Sequence, residues 1–298
     1  MFIQRLRSTV QLLLCVLCCL GSPAMADNEF AGPVTFAVGD GVTAKAVQID
    51  DSHIGISVLP GGATTRFEID SEGDGGTDPH FETADYNFDG HRDLAFVTQY
   101  GMVNESYRIF LYDVAARRFV ELRIPAGKNQ PTGNCGGLTG VSVKAAERTL
   151  YSACRSGPIW YTDAYRFDTA GKLYLYQSSA DITDEVLQTH LDGEVDTGGG
   201  PVSQLLTYSS AGKIISRQLQ AYGGGKANLH VDVARLPLHD APTETQAHRY
   251  LVKGDTARAD EISGDARWIK IQYRNPGKGA IDGRVKVSDL GGAADGGQ

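Results

Sequence analysis

The sequence predicts an all-β protein, and three observations carry that prediction. Short runs rich in Val, Ile, Thr, Tyr and Phe recur along most of the chain. Clusters of Gly, Asp, Asn and Pro separate them, and long amphipathic helical periodicity is scarce. The 36 glycines supply the turns that so many short strands need. Strands of this regularity predict a sandwich or a propeller-like stack of antiparallel sheets, with a small barrel at the C-terminal end.

Residues 1–26 stand outside that fold. Arg5 and Arg7 make a basic start, and Val10 to Leu20 is an apolar run too short to span a bilayer comfortably. Ala24-Met25-Ala26 has the pattern of a signal-peptide cleavage site, so cleavage after Ala26 is expected. The small residue that precedes a lipid-modified cysteine is missing before Cys15, Cys18 and Cys19. The expected destination is the periplasm or the outside of the cell, with no membrane span in the mature chain.

The leader takes three of the five cysteines with it and leaves Cys135 and Cys154. An even pair in an oxidising compartment reads as one disulfide, and two free thiols are the alternative. A bridge closing a loop of about twenty residues contributes roughly 3 kcal/mol by loop-entropy arguments. Structural zinc needs paired ligand spacing that two separate cysteines lack.

The leader carries two Arg and no acid, so the mature charge is 26 minus 36, or −10. That balance argues against nucleic acid or an anionic membrane as partner. It suits a cation or a basic protein.

The elements follow in order. Thr43–Ile49, His53–Val58 and Thr65–Ile69 are β-rich runs divided by Asp50-Asp51-Ser52 and Pro60-Gly61-Gly62. Asp93–Thr98, Tyr107–Asp113 and Phe119–Ile124 continue the series. Val141–Lys144 with Thr149–Cys154 predicts one hairpin, and Ala164–Asp168 with Lys172–Gln177 another, around Thr169-Ala170-Gly171. This β domain spans residues 27–178. Residues 179–230 read as a connector holding a short helix at Asp184–Leu191 and a hairpin from Gln204–Ser209 and Lys213–Gln220. Residues 231–290 have the strand rhythm of the small barrel, and the Gly-rich tail 291–298 is expected to be disordered.

One stretch carries chemistry. In "DYNFDGHRDLAFV", Asp85, Asn87, Asp89 and Asp93 occupy positions 1, 3, 5 and 9, Gly90 permits a sharp turn, and His91 offers a backbone carbonyl. Calcium takes six to eight oxygens, and this spacing brings several onto one centre. Position 12 is Phe96 rather than Glu, and the following residues read as a strand, so the loop is not an EF-hand. The alternative is an Asx-rich turn that binds nothing. A second stretch, "DSEGDGGTD", repeats the offsets with Asp70, Glu72, Asp74 and Asp78, and is either a second cation loop or a Gly-rich linker.

No HExxH, GxSxG or CxxC motif is present, and Gly223-Gly224-Gly225-Lys226 lacks the rest of a phosphate loop. No catalytic residue is assigned, and a non-enzymatic role is expected. Trp160 and Tyr161, after a Gly157-Pro158 turn, are either core aromatics or exposed anchors for a protein partner.

Two stretches carry resemblances. The loop at 85–96, with "NESYRIFLYDVAARRFVE" and "YRFDTAGKLYLYQ", resembles calcium-binding, propeller-like periplasmic inhibitors, which protect bacteria from their own lysozyme-like type IV secretion effectors. The loop-to-strand arrangement is similar to FG-GAP calcium repeats. The resemblance implies a Ca2+-supported scaffold, an immunity role, and a loop residue that blocks a peptidoglycan hydrolase. Lys253-Gly254-Asp255, Trp268-Ile269-Lys270-Ile271 and Gly283-Arg284-Val285 through Asp289-Leu290 are similar to bacterial SH3-like domains, with Arg284 in place of their usual Trp. That second resemblance implies an alternative role as a cell-wall-binding or adaptor protein that contacts peptidoglycan.

Overall fold

A computed structural model describes residues 30–69, 77–126, 130–157, 159–193, 200–221, 224–243 and 246–291. The first sheet is an antiparallel meander of β1 (Val34–Gly39), β2 (Val42–Asp50), β3 (His53–Leu59) and β4 (Thr64–Glu68), each strand bonded to the next. The second repeats the plan with β5 (Thr77–Ala84), β6 (Asp93–Tyr100), β7 (Asn104–Asp113) and β8 (Arg118–Glu121). Tight turns of Gly, Asp and Asn join consecutive strands, so neighbours in sequence become neighbours in space.

The third sheet begins the same way, with β9 (Val141–Lys144), β10 (Thr149–Ser156), β11 (Ile159–Phe167) and β12 (Leu173–Asp181). It then grows. The hairpin of β14 (Val202–Tyr208) and β15 (Ile214–Ala221) adds to β12, with Ser178 opposite Leu206. A helix, α1 (Glu185–His190), precedes the short strand β13 (Leu191–Gly193). The Asp184 side chain caps α1 by accepting the Leu187 N–H at 3.0 Å.

Strand period explains how these layers stack. In β6, Leu94 and Phe96 pack toward the first sheet, while Ala95 and Val97 pack toward the third. In β7, Phe110 and Tyr112 join the first set, and Tyr107 and Ile109 the second. The second sheet is therefore a middle layer, buried on both faces, and its strands read as near-continuous apolar runs. Phe67 packs against Phe110 with tilted rings at 4.5 Å between ring centres, and Phe36 meets Phe119 edge-on at 6.1 Å. Each fully buried Leu, Ile or Phe in these layers contributes about 1.5–3 kcal/mol.

The C-terminal strands are β16 (Ala227–His230), β17 (Arg235–Leu238), β18 (Arg249–Val252), β19 (Thr256–Ile262), β20 (Trp268–Asn275) and β21 (Gly279–Lys286). The expected small barrel is not closed. β19, β20 and β21 extend the third sheet through β15 and β16, and β17 and β18 form a separate pair. Bulges pull the ladders out of register, one between Ala259 and Glu261, and a single residue pair, Gln218 with Glu261, links β15 to β19. Ile182, Leu187, Leu191, Leu219 and Leu229 from the stretch read as a connector share one core with Leu236, Leu251, Ile269, Ile271 and Val285.

The predicted disulfide is present. Cys135 and Cys154 are bonded, with Cα atoms 5.5 Å apart. Among the described residues, no helix is long and apolar enough to cross a membrane.

Candidate functional site

The loop at residues 85–92 closes the β5–β6 hairpin, in which Ala84 pairs with Asp93. Its shape follows from its side-chain acceptors. Asp85 accepts the N–H groups of Asp89 and Gly90 at 3.0 and 2.9 Å. The Asn87 side-chain oxygen accepts Asp89 N–H at 3.1 Å, and Asp89 accepts His91 N–H at 2.8 Å. Asx side chains satisfy the loop's own backbone in this way. The tight path needs left-handed backbone at Phe88 (φ 63°) and Gly90 (φ 92°), and Gly90 adopts it without a Cβ penalty.

Asp93 behaves differently from the other three acceptors. It is fully buried, and its carboxylate accepts Tyr86 N–H at 2.8 Å and Tyr112 N–H at 2.9 Å. Burial pushes this carboxyl up to about 7, against the pull of those two N–H bonds, and Asp89 and Asp85 add to the rise. A cation beside Asp85 and Asp89 would offset that repulsion.

The loop also meets both neighbouring layers. Arg92 N–H bonds the Val38 carbonyl at 2.8 Å, and His91 lies between Asp40 and Asp89, 3.2 Å from each. Asp40, and to a lesser extent Asp89, favours the imidazolium form of His91 and raises its pKa against partial burial. On the other side, Arg148 donates to the Phe88 carbonyl at 3.0 Å and lies over the Phe88 ring at 5.6 Å. Phe88 meets Phe167 edge-on at 6.4 Å. The loop is thus a junction of the first, second and third sheets.

The side-chain oxygens of Asp85, Asn87 and Asp89 accept N–H groups of one short bend, Asn87 also donates to Asp89 at 2.9 Å, and the His91 carbonyl belongs to the same bend. That donor set is all oxygen, as calcium prefers. Asp93, the predicted closing ligand, is fully buried beneath the bend and anchors the loop to the sheet through Tyr86 and Tyr112 N–H, while both Asp85 oxygens accept N–H groups of the bend itself. Among the described residues, no three His, Cys, Asp or Glu side chains are gathered as a metal-holding group. The second acidic stretch is largely beyond description. Asp70, Glu72 and Asp74 lie outside the described residues, and Asp78 sits in β5 with φ 53°.

A second feature concerns the aromatics. Trp160 is 49 % exposed on β11, paired with Arg155 on β10, and Tyr161 beside it is half-buried. Asn104 clamps Arg155 from the next layer, donating to its carbonyl at 3.1 Å and accepting its N–H at 2.8 Å. This clamp puts the β6–β7 turn at the same end of the molecule, where Met102 is 86 % exposed.

Sequence reasoning missed Asp40 and Arg148, which reach the loop from 51 and 60 residues away along the chain. It also missed Asp163, fully buried, which accepts Cys135 N–H at 3.0 Å and so fixes the disulfide-bearing segment against β11. Short-range spacing carries no signal for such contacts. Comparison of the chain with known protein families, curated proteins and solved structures found no match.

Proposed function

We propose that the protein is an exported, calcium-stabilised binding protein that inhibits a lysozyme-like peptidoglycan hydrolase and acts without catalysis of its own. The observation that carries this reading is the loop at 85–93, an acidic bend at the junction of three stacked sheets. In the proposal Asp85, Asn87, Asp89 and the His91 carbonyl hold the ion, while Asp93 ties the bend to β7. Bound calcium supplies positive charge that relieves carboxylate repulsion and stiffens the bend. The surface around Met102 and Trp160 is the proposed contact with the hydrolase, since exposed aromatic and Met side chains suit interface cores. The acidic mature charge favours encounter with a basic enzyme.

The test is an inhibition assay. The mature chain is mixed with a purified lysozyme-like peptidoglycan hydrolase, and clearing of purified peptidoglycan is followed with and without a calcium chelator. The reading expects stoichiometric loss of clearing that the chelator weakens. Undiminished clearing at excess protein contradicts it.

A further inference from the structure

The C-terminal strands border an open surface depression of about 410 Å³ that the proposed function leaves unused. Its lining is unusual for a chain of net charge −8. Arg235, Arg249, Lys286, His239 and His248 line it, against one carboxylate, Asp289. Arg249 is already paired with Asp240. Arg235 and Lys286 form no ion pair among the described residues. Each lies over a ring instead, Arg235 at 3.8 Å from the Tyr250 centroid and Lys286 at 5.3 Å from that of Trp268. Stacking holds a guanidinium plane in place while leaving its N–H edge available for a planar oxyanion.

His239 borders this depression as well. Its residue is only 3 % exposed, yet neither ring nitrogen has a hydrogen-bond partner among the described residues. Its backbone is fixed by two bonds with Arg284, at 2.9 and 2.8 Å, and its ring sits edge-on to Trp268 at 5.1 Å. The residue borders the same depression as Arg235 and Lys286, and its covered ring nitrogens make it part of the wall.

We propose that this depression is a binding site for a small oxyanion, a carboxylate or phosphate group, with Arg235 and Lys286 supplying the charge and the Tyr250 and Trp268 rings holding the two cations in place. The carbon frame of the ligand would rest on Pro237, Ala247 and the exposed part of Tyr250. The inference is independent of the hydrolase-inhibitor reading.

The test titrates the full mature chain with succinate and, separately, with inorganic phosphate, by calorimetry, with chloride at matched ionic strength as control. The expected result is saturable one-to-one binding of at least one probe, weakened about tenfold or more in Arg235→Gln and in Lys286→Gln and unchanged in Lys253→Gln. Succinate alone saturating identifies a carboxylate site, and phosphate alone a phosphate site. Failure of both probes to saturate, equal heats with chloride, or binding indifferent to both lining substitutions overturns the proposal. Should either lining variant unfold, the other variant and the wild-type saturation still decide it.

Discussion

The Asp93 carboxylate accepts the Tyr112 backbone N–H at 2.9 Å across nineteen residues of sequence. The ladder between β6 and β7 ends at the pair Leu94 and Phe110, so a side chain takes over as acceptor where the strands stop. The other oxygen holds Tyr86 N–H in the acidic loop. Asp93→Ala would strand two buried donors and should cost about 2–5 kcal/mol. Asp93→Asn keeps one acceptor and should cost less. Urea denaturation measures both, and a loss below about 1 kcal/mol for the alanine variant would contradict this role.

The Cys135–Cys154 bridge spans 19 residues and pins the segment before β9 to β10. Replacing both cysteines by serine should lower unfolding free energy by about 3 kcal/mol. The denaturation midpoint of the double variant is the readout, and a midpoint equal to that of the wild type would show that the bridge adds nothing.

Burial raises the Asp163 carboxyl above its usual range, outweighing the N–H bonds from Cys135 and Asn134. The folded chain therefore holds this proton to higher pH than the unfolded chain does. Stability from this group is complete below the unfolded value of about 3.9 and declines as pH rises through the raised folded value. Asp163→Asn removes the titration. Urea melts across the acid range should show the wild type losing stability relative to the variant as pH rises through that window. A flat difference, or one of opposite slope, would contradict the assignment.

A tighter constraint concerns Gly133. A Cβ placed there would lie 2.4 Å from the Asp163 carboxylate and 2.7 Å from the Tyr165 hydroxyl. Both neighbours are buried, so Gly133→Ala should cost about 1–3 kcal/mol through overpacking. A thermal melt of the variant checks it, and an unchanged transition would mean that the segment shifts freely.

Exposed Met102 and Trp160 make a separate prediction about the partner. Met102→Asp and Trp160→Ala should each weaken inhibition of the hydrolase by about tenfold or more, with little change in melting temperature. Inhibition constants that match the wild type would move the contact elsewhere on the surface.

Hairpins were the legible part of this fold. The turn at Thr169-Ala170-Gly171 and the strands on either side of it appear where the local pattern put them, as do the helix capped by Asp184 and the disulfide. Those features are set by residues close in sequence or by the number of cysteines. What could not be read was non-local. Leu191 of β13 pairs with Leu229 of β16, and Leu229 in turn with Ala257 of β19, joining a stretch read as a connector to one read as a separate barrel. Strand alternation specifies which face is buried and leaves the partner strand open. The site divides in the same way. The spacing of Asp85, Asn87 and Asp89 was visible, and the inward turn of Asp93 was not, because it depends on where the β7 ladder ends. The contact of His239 with Trp268 joins residues far apart in sequence and left no motif.

The most direct test of the central claim is calorimetric titration of calcium into chelator-stripped mature protein, run in parallel on wild type and Asp89→Ala. Saturable binding is expected in the wild type, abolished by the substitution. Wild-type stability should also rise by about RT ln(1+[Ca]/Kd), a rise that the variant lacks. No binding heat in the wild type, or equal binding in the variant, would contradict it.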